Sequence, residues 1–518
     1  QNLAIDAEVY QTNFSNKTEY KFATPASTST SNTIKISTVD TNSSNSDVRA
    51  DIAGFKLSEI QVLSIDLSSS VDLKTSQNIV GADLKNVLLT GSGDFDLESN
   101  TIVGVPDGTV SLTSSNYTGN LTISINNTED GIKSVTAGSG NDAIKIDGIS
   151  SSLSSSGRGI SVDTGAGHDI VSLTANSDGK NAKVLIKGGE GVDKASFAAA
   201  VDFSLSDISI LAFEDLEFTG GSGLTKIPSN IVSGSNLSIA ENGTGTLLLE
   251  IFPTDQKVDL SSLVFDDSIV SGADKIIING SNFASALTIT GSTMDEEITG
   301  TYTSADTINS GDGNDTLTSL DGNDILTPGD GIDHITPGLG NDTINLSERV
   351  SAVDTLYYSI DDGTNNVDTV NNFDVRFSND IISVDVSKTS TPITFGNGSG
   401  ATAATTGTIN IVDQAIDTDA NYASVTSATI IKLTPTDKSD FATSLGRAEL
   451  TVANNAVLPF LWFDKDTSQA VFGYSVENSD SPADNKITAT DTFTEIARLN
   501  ISESSYTHFL NTDNFAFI

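Results

Sequence analysis

A chain of 518 residues with 69 acidic against 26 basic side chains carries a formal charge of −43, and it holds no cysteine. That balance argues against nucleic acid as a partner, and the missing thiols exclude disulfides and thiolate metal centres, leaving oxygen ligands and hard cations, calcium first among them. The acidic excess also has a plainer reading, solubility in a salty medium, and the placement of the carboxylates decides between the two.

Ser, Thr, Asn, Asp and Gly dominate, aromatics are 6%, and there is one Met and one Trp. Short apolar runs such as Val184-Leu185-Ile186 and Ile276-Ile277-Ile278 recur between turn clusters, which predicts an all-β fold. No apolar stretch reaches the roughly 20 residues that span a bilayer, and no basic-then-apolar leader opens the chain. The first residue is Gln1, so the chain is expected to be processed or part of something longer, in which a further N-terminal region would be the place for an anchor to cell-surface polysaccharide.

Residues 1–120 read as an N-terminal β region. Its Gly54-Phe55-Lys56-Leu57 and Ile60-Gln61-Val62-Leu63 echo Phe213-Glu214-Asp215-Leu216-Glu217-Phe218, an echo that generic strand patterning explains equally well. Residues 121–200 carry three scattered glycine-aspartate turns, AGSGNDAIK ending at Lys145, TGAGHDIVS ending at Ser172 and GGEGVDKAS ending at Ser196. Their Asp142, Asp169 and Asp193 are candidate cation ligands, with a plain Gly-Asp turn as the alternative. Asp142 and Asp169 stand 27 residues apart, three whole nine-residue units. Residues 201–286 read as a β-rich connecting domain.

Residues 287–350 hold the most informative stretch. From Thr301 to Asn345 a nine-residue pattern runs through five units in one phase: TYTSADTIN, SGDGNDTLT, SLDGNDILT, PGDGIDHIT and PGLGNDTIN. Asp306, Asp315, Asp324, Asp333 and Asp342 share one column, and Ile308, Leu317, Leu326, Ile335 and Ile344 another. Gly313, Gly322, Gly331 and Gly340 fill the fourth position of four units, and Asp312, Asp321 and Asp330 the third position of three. Leu121-Thr122-Ile123 precedes Asp142 much as Leu287-Thr288-Ile289 precedes Asp306, which predicts two related solenoid modules.

These columns resemble the RTX nonapeptide GGxGxDxUx of the calcium-binding parallel β-roll. The resemblance implies short strands whose Ile or Leu enters a thin core, glycine turns whose carbonyls and Asp carboxylates face neighbouring coils, several calcium ions between turns, and folding linked to calcium. This chain departs from the family where Ser310, Ser319, Pro328 and Pro337 replace the first glycine and Leu320 the second.

Residues 351–518 read as a C-terminal capping and secretion-signal β domain. Val367-Asp368-Thr369-Val370-Asn371-Asn372-Phe373-Asp374 and Asn379-Asp380-Ile381-Ile382 look like the segment that closes such rolls, where Asp368, Asp374 and Asp380 are further candidate ligands. Leu461-Trp462-Phe463 and Val471-Phe472-Gly473-Tyr474 predict a hairpin across Asp464-Lys465-Asp466-Thr467-Ser468. The final Asp513-Asn514-Phe515-Ala516-Phe517-Ile518 is similar to the tail of bacterial type I secretion substrates, which would make that apparatus a partner; a terminal strand that packs on the domain is the alternative.

Catalytic signatures are missing from the sequence: it has neither HExxH nor GxSxG, and of His168, His334 and His508 the first two fall in nonapeptide turns. Acidic pairs such as Asp266-Asp267 and Asp361-Asp362 read as solvated turns. The overall texture is similar to bacterial surface-layer proteins. The expectation is a secreted, non-enzymatic subunit that assembles with copies of itself into a calcium-dependent sheet or filament. An adhesin or ice- or surface-binding module is the alternative, for which no flat ladder of Thr is evident, and a secreted polysaccharide-active enzyme is a third.

Overall fold

The computed structural model describes residues 273–359 continuously, most of 61–270, the segments 366–375, 380–385, 457–476 and 493–506, and single strands within 18–57, 410–451, 486–487 and 515–517. The described residues are almost all strand, and parallel stacked coils make a β-solenoid. The chain divides into two compact units, Gln1–Phe252 with Ser262–Asp274 and Pro253–Ser261 with Lys275–Ile518.

In the first unit, alternate strands stack into two parallel sheets. One runs through Asn86–Gly91, Val110–Thr113, Ile132–Thr136, Ile160–Gly167 and Lys183–Gly191. The other runs through Leu121–Asn126, Ala143–Ile149, Ile170–Ala175, Lys194–Ala198 and Asp215–Thr219. Each coil places its apolar residue directly over the last, so Val87, Leu112, Val135, Val162 and Ile186 form one buried column. Pairing of Leu121 with Phe95 and of Lys194 with Asp215 carries the stack across the expected boundaries at residues 120 and 200.

The second unit contains the nonapeptide array, and its coil is 18 residues long, two units per coil. Successive units therefore fall on opposite sheets. Ile289, Ile308, Leu326, Ile344 and Val370 stack on one side, and Ile278, Ile298, Leu317, Ile335, Leu356 and Ile382 on the other. All are at most 1% exposed. A nine-residue repeat with one inward aliphatic thus builds a core two apolar side chains wide.

The column of first-position residues is a buried corner. Ser310 Oγ donates to the Pro328 carbonyl at 2.6 Å, and Ser319 Oγ to that of Pro337. Ser and Pro in place of the first glycine are therefore mutually paired from coil to coil. Leu320, in the second-glycine position, takes a φ of +71° that glycine adopts without cost.

At its C-terminal end the stack changes direction. Asp368–Asn371 pairs in parallel with Phe493–Asn500, which pairs antiparallel with Gln469–Val476, itself the partner of Val457–Asp464. The hairpin expected across Asp464–Ser468 is formed, with Asp464 opposite Gln469. Phe515–Phe517 lies parallel to Ile381–Asp385 at the edge of the other sheet; Asp513, Asn514 and Ile518 lie outside the described residues. Among the described residues no helix is long and apolar enough to cross a membrane.

Candidate metal-binding turns and carboxylate columns

The Asp of each nonapeptide precedes the inward aliphatic by two residues, so period-two alternation turns both toward the interior. Asp306, Asp315, Asp324, Asp333 and Asp342 are all at most 1% exposed. They join in two columns. On one sheet the backbone N–H of Leu287 donates to Asp306 Oδ1, that of Asp306 to Asp324, that of Asp324 to Asp342, each at 2.7 Å, and that of Asp342 to Asp368 at 2.9 Å.

On the other sheet Glu296 N–H donates to Asp315 Oδ1, Asp315 to Asp333, Asp333 to Asp354, and Asp354 to Asp380, at 2.7 to 3.2 Å. Asp374 N–H donates to the second oxygen of Asp380 at 2.7 Å, so Asp374 meets the column through its backbone.

The first unit repeats the device. Leu121 N–H donates to Asp142, Asp142 to Asp169, Asp169 to Asp193, and Asp193 to Glu214 Oε2, at 2.7 to 2.9 Å. The three scattered turns are thus consecutive coils of one column, 27 and then 24 residues apart. The 27-residue interval is a coil length and does not count whole nonapeptides.

In most rungs only one carboxylate oxygen is engaged. Among the described residues, no hydrogen-bond partner reaches the buried Oδ2 atoms of Asp142, Asp169, Asp193, Asp315, Asp324, Asp333, Asp342 and Asp354, or Glu296 Oε2. Asp306 differs, because Thr301 N–H reaches its Oδ2 at 2.6 Å. An acid buried and half-satisfied is costly as an anion. Burial accordingly pushes Asp315 and Asp324 up to about 6, Asp142, Asp333 and Asp380 to about 7, and Asp354 and Glu296 to about 9, and it raises the hydrogen-bonded pair Asp342 and Asp368 in the same direction. Asp169 and Asp193 are raised for the same reason.

The glycine columns have a separate cause. A Cβ on Gly331 would lie 1.7 Å from the Gly313 carbonyl oxygen, and one on Gly340 would lie 1.4 Å from that of Gly322. Each glycine turn rests backbone to backbone on the turn of the coil before it. In the first unit Gly189 and Gly191 rest in the same way on Gly165 and Gly167.

Third-position acids lie outside these columns. Arg349 joins two of them: its backbone N–H and Nε reach Asp330 at 2.6 and 3.0 Å, and its Nη2 contacts Asp312. The N–H bond and the guanidinium hold Asp330 below the usual carboxylate range. Asp321 is exposed.

Four members of the ladders escaped the nonapeptide reading: Glu214, Asp274, Glu296 and Asp354. Asp274 accepts from Leu247 N–H at 2.8 Å. Each stands two residues before an aliphatic, in Glu214-Asp215-Leu216, Asp274-Lys275-Ile276, Glu296-Glu297-Ile298 and Asp354-Thr355-Leu356. Acid-x-aliphatic without the glycine turn was the available signal. A second, exposed ladder runs the opposite way: Asn314, Asn323 and Asn341 accept N–H bonds from Ile332, Asn341 and Val367 at 2.9 Å.

His168 belongs to such a ladder, its Nδ1 accepting from Val192 N–H at 3.1 Å, and His334 stacks on Tyr357 with ring centroids 5.7 Å apart. His508 and the Asp361-Asp362 pair lie outside the described residues.

The donors are carboxylate and carbonyl oxygens, which suit a hard cation, and the unpartnered carboxylate oxygens are the groups one would neutralise. Among the described residues no three His, Asp or Glu side chains converge into a metal cluster. No protein-family model, curated protein or solved structure matches this chain.

Proposed function

We propose that this chain is a structural, calcium-stabilised β-solenoid of the RTX type, exported by type I secretion and assembling with copies of itself into a layer or filament at a bacterial surface. One observation supports the reading: columns of buried carboxylates, most with an oxygen that no hydrogen-bond donor among the described residues reaches. Calcium, when bound, supplies positive charge and accepts oxygen donors. Asp142, Asp169, Asp193, Asp315, Asp324, Asp333 and Asp342 would hold it, with the carbonyls of the adjoining glycine turns.

Coupling to export follows from the same chemistry. At submicromolar calcium the like-charged columns oppose folding, and at about 10⁻⁴ to 10⁻³ M, where extracellular modules bind, they hold it together. The net charge of −43 also requires neutralisation before copies can approach. Electron microscopy of the purified chain, in millimolar calcium and again in EDTA, tests the proposal. Ordered arrays that form with calcium and dissolve on chelation are expected; arrays that persist in EDTA, or particles that stay single in calcium, would refute the assembly claim.

A further inference from the structure

The outward positions of one sheet in the second unit form a ladder that the coil brings together from distant triplets. Its rungs are Thr288-Ile289-Thr290, Thr307-Ile308-Asn309, Ile325-Leu326-Thr327, Thr343-Ile344-Asn345 and Thr369-Val370-Asn371, in parallel register from coil to coil. The middle residue of each is buried. The outer two therefore make two columns, Thr288, Thr307, Ile325, Thr343, Thr369 and Thr290, Asn309, Thr327, Asn345, Asn371.

All ten positions are uncharged in a chain of net charge −43. Only the flanking rungs carry charge, Lys257 and Asp259 before and Arg498 after. Sheets of the first unit differ, since their outward residues form ion pairs, Lys187 with Asp163 at 3.3 Å and Lys194 with Glu217 at 2.8 Å. The amides are also locked in place: Asn371 Nδ2 donates to Asn345 at 2.7 Å, and Asn500 Nδ2 to Asn371 at 2.5 Å.

Strand geometry sets rungs about 4.8 Å apart and columns roughly 6.6 Å apart, a two-dimensional lattice of hydroxyls, amides and methyls. A neutral, preorganised lattice offers nothing to an ionic partner and costs little entropy to dock on a surface that is itself periodic. None of the ten positions is aromatic, so the face lacks the ring platforms on which sugar rings stack. We propose that this face binds ice, each Thr offering a hydroxyl and a methyl to ordered water. The inference goes beyond the assembly role and is independent of it.

The test uses the full chain in millimolar calcium and measures thermal hysteresis, ice-recrystallisation inhibition and partition into a growing ice front. The parent chain should be active in all three. The double variant T307K/T343K, shown by circular dichroism to keep its β-content, should lose at least ten-fold in hysteresis. T316K/T355K, on the opposite sheet, should retain it, and the milder T307S/T343S should fall between. Absence of hysteresis and ice partition in the parent chain would overturn the proposal. So would equal loss from both lysine pairs, or adsorption to crystalline chitin or cellulose with no effect on ice.

Discussion

Asp333 shows how one residue type serves two ends. Its Oδ1 accepts the Asp315 N–H at 2.8 Å, a bond that joins coils whatever the ionic state, while its buried Oδ2 meets no hydrogen-bond partner among the described residues. Asp333→Asn keeps an oxygen acceptor and removes the charge. In EDTA at neutral pH this variant should melt higher than the parent, because a buried uncompensated anion is gone; in excess calcium its calcium-induced rise should be smaller. Thermal melts in both buffers check this, and a lower melting point in EDTA would contradict it. Gly331 answers to packing instead: with φ +141° and a Cβ position 1.7 Å from the Gly313 oxygen, Gly331→Ala should cost about 2 kcal/mol or more in denaturant unfolding. Gly234→Ala, at φ +70° in open space, should cost about 1 kcal/mol.

At the scale of elements, the array was legible because its acid, glycine and aliphatic columns have distinct physical causes that coincide in one period. The acid bonds the neighbouring coil, the glycine admits the neighbouring backbone, and the aliphatic fills the core. Sequence could not show that two nonapeptides make one coil, since 9 and 18 fit the same string and only strand pairing separates them. Nor could it show the ladder of Thr and Asn, whose rungs lie 18 to 26 residues apart and include Ile325. Glu296 and Asp354 were hidden because they lack the glycine turn. The closing strand has its own consequence. Phe515–Phe517 covers the Ile381–Asp385 edge, with Phe515 against Phe472 at 5.4 Å between ring centroids. Removing residues 513–518 should expose that edge and produce concentration-dependent aggregates in size-exclusion chromatography beyond any that the full chain forms in the same buffer; identical elution profiles would contradict this.

Across the whole molecule, many carboxyls share one sign of shift, so their linkage adds. A group whose folded value is raised above its unfolded value stabilises the protein below the unfolded value, near 4, and loses that contribution as pH rises through the folded one. For Asp142, Asp315, Asp324, Asp333, Asp342, Asp354, Asp368 and Asp380 that window runs from about 4 to about 9. The metal-free chain should therefore be most stable in mild acid, and calcium should matter least there, because protonated carboxyls neither repel nor bind it. Each site filled at 100 times its dissociation constant adds about 2.7 kcal/mol. The most direct test of the account is the melting temperature of the chain in EDTA and in millimolar calcium, followed from pH 4 to pH 8. The two curves should meet near pH 4 and diverge upward in pH, the EDTA curve falling and the calcium curve holding; curves that coincide at pH 8 would contradict it.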